Sequence, residues 1–275
     1  MKTKRIANLQ KKIKKSGADG LVITKPENRL YISGFSGSSA FLVITLEECY
    51  LITDFRYIEQ AKKQSPDFRA VDYGSDLIGS LKNIMLEHNA KTFLFEEDHL
   101  TYAQYIMCQE GLDFAKLIPV KDMVEELREI KDIKEIEFLQ KAAEIADQSF
   151  LHILNFIKPG QKENEVALEL EYQMRCLGAH GPSFETIVAS GLRSSLPHGV
   201  ASDKILQIGD LIVMDFGATY RGYHSDMTRT IILGKATLKQ KELYQAVLEA
   251  QQKALNAIKV GLICSDLDKI ARSYL

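Results

Sequence analysis

Short apolar segments alternate with helical patterns through the first part of the chain. Patterns typical of buried strands occur at residues 20–24, 40–45, 49–53, 69–73 and 92–96. Patterns typical of helices occur at residues 6–15, 55–64, 76–88 and 102–110. Strands that alternate with helices predict a layered α/β domain, because helices then cover the faces of a sheet.

The pattern changes at about residue 130, where we place a domain boundary. From Ile133 the apolar residues recur every three or four positions until Pro159-Gly160, which predicts one long helix. The predicted domains are residues 1–130 and residues 131–275, and the fold class is α/β of the mixed α+β kind.

The second part of the chain combines helices with a strand pair. Helices are predicted at residues 163–177 and 238–259, and a strand is predicted at residues 187–189 after a loop rich in Gly, Ser and Pro. A last helix is predicted to begin after Ser265, because serine often caps a helix N-terminus. The strand pair lies between the loop and the helices, and it contains two aspartates.

Composition excludes several classes of partner. The chain has 275 residues, a net charge of -2 and 45% hydrophobic residues, so no basic surface for nucleic acid is predicted. No apolar run approaches the ~20 residues that span a membrane. The four cysteines are far apart, which favours free thiols in a reducing cytoplasm. The lysine-rich start has apolar residues at helical spacing, so its lysines are predicted to form the solvent face of an amphipathic helix.

Two carboxylates interrupt the apolar strand pair "VMDFGATYRGYHSDMTRT". Asp215 lies in the first strand, and Asp226 is predicted near the start of the return strand. Ionised carboxylates are costly in an apolar strand unless they are paired or bind a metal, and divalent cations prefer such hard oxygen ligands. The residues alone leave two interpretations open: a metal site, or one acid paired with Arg221 or Arg229 while the other caps a turn.

His198 lies in the loop "SLPHG" that leads towards the strand pair. A histidine there suits hydrogen bonding to a substrate carbonyl or proton transfer near neutral pH. An exposed loop histidine without a catalytic role is the alternative interpretation.

The three segments "PSFETIVASG", "SLPHG" and "GDLIVMDFGATYRGYHSDMTRT" follow one another in this order. Together they resemble the metal-dependent peptidases of the pita-bread fold, in particular the Xaa-Pro aminopeptidase and Xaa-Pro dipeptidase (prolidase) family. The segments "NRLYISGFSGSSAFLVIT" and "LITDFRYIEQA" resemble the creatinase-like N-terminal domain that precedes the catalytic domain in that family. The resemblance covers essentially the whole chain.

The resemblance implies a role for four residues. Asp215 matches the aspartate that binds one metal, and Asp226 matches the aspartate that bridges two divalent metal ions. His198 matches the histidine that contacts substrate and assists proton transfer. Thr228 lies where a residue supports the metal ligands. Manganese is the expected metal, with cobalt or zinc as alternatives.

The family completes its metal site with one histidine and two glutamates on later strands. The resemblance places these ligands beyond Leu275, so it predicts an incomplete pita-bread domain in a C-terminally truncated chain. Two carboxylates alone leave a divalent ion largely hydrated, and we expect the 275-residue chain to be inactive by itself. Without those later strands, an apolar face and a sheet edge are expected to be exposed.

The implied function is metal-dependent removal of the N-terminal residue that precedes a proline. The expected partner is a peptide with proline at its second position, and a homodimer is what the family suggests. Two alternatives remain: a metal-free pseudo-peptidase that binds another protein, and a creatinase-like C–N hydrolase. Retention of both aspartates and of His198 speaks against the binding module, and the two aspartates speak against the metal-free hydrolase.

Overall fold

The structure is a computed structural model that describes residues 4–275. The chain divides into two units, Met1–Asp132 and Ile133–Leu275. The helices of the first unit are α1 (Lys4–Lys15), α2 (Pro26–Ser33), α3 (Ile58–Gln64), α4 (Leu77–Glu87), α5 (Tyr102–Gly111) and α6 (Glu125–Glu129). Its strands are β1 (Gly20–Ile23), β2 (Phe41–Thr45), β3 (Cys49–Thr53), β4 (Arg69–Asp72), β5 (Thr92–Glu96) and β6 (Lys116–Val120).

One six-stranded sheet organises the first unit, in the order β4-β3-β2-β1-β5-β6. The β1–β2 and β2–β3 pairs are antiparallel, and the other neighbours are parallel. Apolar clusters cover both faces, as expected for an α/β layer. In α1 the apolar face is fully buried through Ile6, Leu9 and Ile13, so the amphipathic prediction is confirmed.

Three short elements of the first unit escaped the sequence analysis. Helix α2 has a sequence signal at each end, with Pro26 in its first turn and Gly34 at its C-terminus in the left-handed region with φ 77°. Strand β6 contains Pro119 and has no fully buried residue, so it does not show the pattern of a buried strand. Helix α6 has only five residues, which are too few for a helical period to show.

The second unit packs two long helices against small antiparallel sheets. Its helices are α7 (Ile133–Phe156), α8 (Glu163–Cys176), α9 (Leu238–Ala257) and α10 (Cys264–Arg272). Its strands are β7 (Gly181–Pro182), β8 (Ile187–Ser190), β9 (Leu211–Phe216), β10 (Ala218–Tyr220), β11 (Tyr223–His224) and β12 (Met227–Ile232). The sheets have the orders β12-β9-β8 and β11-β10-β7, and their buried side chains share one cluster with α7 and α8.

The prediction that Ser265 caps the last helix is wrong. Helix α10 begins at Cys264, and Ile263 occupies the cap position without a side-chain hydrogen bond. The backbone N–H groups of Asp266 and Leu267 both donate to the Ile263 carbonyl, so the first turn already contains Ser265.

The last part of the second unit leaves apolar surface exposed within residues 4–275. In α9, Leu243, Val247 and Leu255 are exposed, and Ala250 is buried. Strand β12 forms one edge of its sheet in this part of the chain. None of the helices in residues 4–275 is both long enough and apolar enough to cross a membrane.

Candidate metal centre

Asp215 lies on the face of β9 that points away from the apolar core. Burial alternates along this strand, with Ile212, Met214 and Phe216 buried and Asp215 half-buried between them. The alternation follows from the two-residue period of a β-strand. The neighbours of Asp215 in the ladder are Ile187 of β8 and Thr228 of β12.

Asp226 was predicted near the start of the return strand, and it lies one residue before β12. The β9–β12 ladder begins with the pair of Met227 and Phe216, so Asp226 is one residue outside it. Asp226 and Thr228 are two residues apart and therefore lie on the same face. If the ladder is extended by one residue, Asp226 is a diagonal neighbour of Asp215, and its charge acts on that carboxylate.

Gly217 lies between β9 and β10, and Ser225 lies between β11 and β12. These two residues separate the ladder of β9 and β12 from the ladder of β10 and β11. A Cβ atom on Gly217 would lie 1.9 Å from the Ser225 carbonyl oxygen and 2.2 Å from Ser183 Oγ, so no larger residue fits. Ser183 Oγ donates to the Ser225 carbonyl at 2.7 Å, and Ser225 Oγ accepts from the Ala218 N–H at 2.9 Å. These contacts hold the residue before Asp226 in place.

Sequence reasoning missed these supporting residues, although Gly217, two residues after Asp215, and Ser225, directly before Asp226, were a usable signal. His224, two residues before Asp226, belongs to the other sheet. Its Nδ1 lies 3.0 Å from Thr219 Oγ1.

The four predicted site residues interact through the Asp215 carboxylate. Burial raises the pKa of Asp215 above its ordinary value, and the charge of Asp226 raises it further. A hydrogen bond from Thr228 and the charge of His198 act in the opposite direction on the same pKa. Thr228, Asp226 and His198 therefore all lie near enough to affect the Asp215 carboxylate.

The arginines that offered an alternative partner lie elsewhere in the described chain. Arg229 is 3.7 Å from Asp147 and donates to the Thr228 carbonyl at 3.0 Å. Arg221 occupies the turn between β10 and β11 with φ 53°. Asp215 Oδ1 is buried and has no hydrogen-bond partner within residues 4–275.

His198 lies in the loop after β8 and the short 3₁₀ turn Gly191–Ser195. Its carbonyl accepts from the Val200 N–H at 2.9 Å, and Val200 bridges to Ile187, the strand neighbour of Asp215. His198 itself is exposed, so a substrate has access to its ring.

A divalent cation fits the donors that the structure presents. A buried carboxylate oxygen without a partner, beside a second carboxylate, is costly alone and is the hard donor that such cations prefer. Asp215 and Asp226 are the residues that could hold it. Within residues 4–275, His, Cys, Asp and Glu side chains form no cluster of three or more with metal-binding geometry.

The fold is that of a metallopeptidase with a creatinase-type N-terminal domain. The family description "Metallopeptidase family M24" matches residues 137–275, and "Creatinase/Prolidase N-terminal domain" matches residues 5–130. The chain belongs to metallopeptidase family M24, and its second unit has the pita-bread fold of that family. Family membership implies divalent metal ions.

Individual relatives are similar along most of the chain. Uncharacterized peptidase YqhT of Bacillus subtilis is 44% identical over 100% of this chain and 77% of its own length. The solved structure of an Xaa-Pro dipeptidase from Bacillus anthracis has a TM-score of 0.94 and 44% identity, over 98% of this chain and 76% of that one. An X-Pro aminopeptidase from Thermotoga maritima has a TM-score of 0.89 and 40% identity, over 94% of this chain and 75% of that one.

Proposed function

We propose that this protein is an Xaa-Pro peptidase that uses divalent cations held by Asp215 and Asp226. The observation that carries the proposal is the buried, unpartnered Oδ1 of Asp215 next to a second carboxylate. Bound cations would polarise the peptide carbonyl and lower the pKa of a water molecule. Manganese is the proposed metal, with cobalt or zinc as alternatives, because carboxylate-rich sites suit manganese.

The protein's own residues have separate roles in this proposal. Asp215 and Asp226 would hold the cations through their carboxylate oxygens. Thr228 holds the Asp215 carboxylate through its hydroxyl and so limits the rotation of that ligand. His198 donates a hydrogen bond to the substrate carbonyl oxygen and exchanges a proton through its exposed ring, which is suited to both tasks near neutral pH.

The proposed substrate is a peptide with proline at its second position. Support comes from the solved relatives, which are described as an Xaa-Pro dipeptidase and an X-Pro aminopeptidase. The reaction releases the residue before proline from a dipeptide or from a longer peptide. We also propose a cytoplasmic location and a homodimer.

A polypeptide of these 275 residues is proposed to be inactive by itself. Two carboxylates leave a divalent cation with most of its water ligands, so its position and its effect on water are poorly defined. In this proposal, cation binding is retained in weak form while hydrolysis of Xaa-Pro peptides is absent.

The test is a manganese titration followed by electron paramagnetic resonance, in which free hydrated Mn²⁺ gives the signal. Wild type should bind Mn²⁺, and Asp215→Asn and Asp226→Asn should each weaken binding by about tenfold or more. Asp203→Asn is the matched control, because Asp203 pairs with Lys162 at 3.0 Å instead. Absence of binding by wild type contradicts the metal role and favours a metal-free binding module. Hydrolysis of an Xaa-Pro peptide by the 275-residue chain contradicts the proposed inactivity.

A further inference from the structure

Glu163 is a fully buried carboxylate outside the proposed metal site. It is the first residue of α8, and its exposed fraction is 0%. An ionised carboxylate is stable in such a position only if charges and hydrogen bonds replace the lost water. The N-terminus of a helix contributes a favourable partial positive charge. The other partners of Glu163 lie in the loop of residues 191–201 and in the residues on either side of it, Ser190 and Ser202.

Five donors surround the Glu163 carboxylate. Oε1 accepts from the N–H and the Oγ of Ser190, each at 2.8 Å. Oε2 accepts from the N–H of Ser202 at 3.1 Å and from its Oγ at 2.6 Å. Arg193 Nε donates to the same Oε2 at 3.1 Å. Both oxygens are therefore fully used, and the arginine balances the charge.

These donors lie on both sides of His198 in the sequence. Ser190 is the last residue of β8, and Ser202 follows the loop of residues 191–201. One carboxylate thus joins the two ends of the loop that carries His198. Arg193 adds a second connection, because its Nη2 donates to the Val200 carbonyl at 2.6 Å.

The loop has little freedom to move between these anchors. Gly199, next to His198, is buried, and a Cβ atom there would lie 2.8 Å from the Ala189 Cβ. Lys204 Nζ donates to Ser190 Oγ and to Asp210 Oδ2, each at 2.7 Å, and so connects the same anchor to the residue that precedes β9. The position of His198 therefore depends on contacts that meet at Glu163.

We propose that Glu163 is a positioning residue that sets the place of the His198 ring beside Asp215. The catalytic importance of this ring position rests on the proposed function. The contacts between Glu163 and the loop do not depend on that function. Glu163→Gln keeps one acceptor oxygen and replaces the other with an NH2 donor, so the donors at one end of the loop would lose their acceptor and the loop would detach at that end.

The experiment observes His198 directly in the metal-free 275-residue chain. Histidine carries the ¹³C label, and the His198 ring signal is assigned by its loss in His198→Gln, since the chain has six histidines. Glu163→Gln should shift or split the His198 signal. It should also speed amide hydrogen exchange in residues 191–201 by about tenfold or more.

Two controls separate positioning from general loss of stability. Glu169→Gln changes a carboxylate on the same helix that lies 2.6 Å from His152 Nε2, so it should move the His152 signal and leave His198 unchanged. The core variant Ile153→Val shows how far the His198 signal moves when stability alone decreases. If Glu163→Gln fails to fold, Ser202→Ala removes one donor to the same carboxylate and should shift His198 to a smaller extent.

The inference would be overturned if folded Glu163→Gln showed an unchanged His198 signal and unchanged amide exchange in the loop. If Glu163→Gln does not fold, the same result in Ser202→Ala would overturn it. These readouts need neither metal nor hydrolysis. Absence of manganese binding would therefore contradict the proposed function, and the Glu163 variants would still test the positioning of His198. Unchanged His198 with intact manganese binding would remove the Glu163 inference alone.

Discussion

Asp215 lies directly opposite Thr228 across the antiparallel pair of β9 and β12, and a hydrogen bond from the threonine acts to lower the pKa of the aspartate. The same register places Asp226 diagonally next to Asp215, while the other carboxylate oxygen of Asp215 stays buried without a partner. A strand pair that carries two acids on one face, with a hydroxyl beside one of them, presents hard oxygen donors for a divalent cation.

Asp215→Asn should stabilise the metal-free protein at neutral pH. Because burial raises the pKa of Asp215, the folded chain binds this proton more tightly than the unfolded chain. The contribution of Asp215 to the free energy of unfolding therefore falls as pH rises through the folded pKa. The stability difference between Asp215→Asn and wild type vanishes below about pH 4. In the presence of a chelator, Tm at pH 7 should rise by about 2–4 °C, the shift that about 1 kcal/mol produces. A lower Tm for the variant at pH 7 contradicts the raised pKa of Asp215.

Thr228→Val should weaken manganese binding by about tenfold while the protein stays folded. Valine keeps the shape of threonine but removes the hydroxyl that holds the Asp215 carboxylate, and such supporting contacts change metal affinity by about 10–100-fold. Thr230→Val, two residues further along the same strand face, is the control and should bind manganese like wild type. Equal affinities for wild type and Thr228→Val would show that the hydroxyl has no supporting role.

Gly217→Ala should destabilise the protein by about 1–3 kcal/mol, measured by urea unfolding. The added methyl group would meet the Ser225 carbonyl at 1.9 Å, so the backbone before Asp226 has to move. Gly181→Ala is the matched control, because its Cβ would meet the flexible end of Arg175 at 3.0 Å. The Gly217 variant should also bind manganese more weakly, and normal stability with normal binding would contradict the close approach.

Glu96→Ala should destabilise the first unit by about 3 kcal/mol. The buried Glu96 carboxylate accepts from the backbone N–H groups of Thr24 and Lys25 and from Asn28 Nδ2, each at 2.7 Å, and so connects β5 to the start of α2. Neighbouring Glu97 is exposed, and Glu97→Ala should leave urea unfolding unchanged. Similar unfolding midpoints for the two variants would contradict the anchoring role of Glu96.

Long periodic helices and continuous apolar strands were predictable from the sequence, and strands of two residues were not. Helix α7 was visible because its apolar residues recur through 24 residues. Strands β7 and β11 have two residues each, so no alternation develops, and their strand geometry depends on hydrogen bonds to β10. The N-terminus of α10 was predicted at Ser265 from residue preference, but the backbone hydrogen bonds place it at Cys264.

Local periodicity and side-chain chemistry are enough to predict the α/β character of the first part, the long helix of the second and the residue types available for a metal site. Tertiary contacts were needed to show that Asp226 precedes its strand, that Arg229 lies against Asp147, and that His198 is near enough to Asp215 to affect its pKa. Those relationships depend on strand register, on the close approach at Gly217 and on a carboxylate, Glu163, that joins segments distant in the chain. Burial then turns these contacts into constraints, since a buried polar group must find its partner wherever the fold provides one.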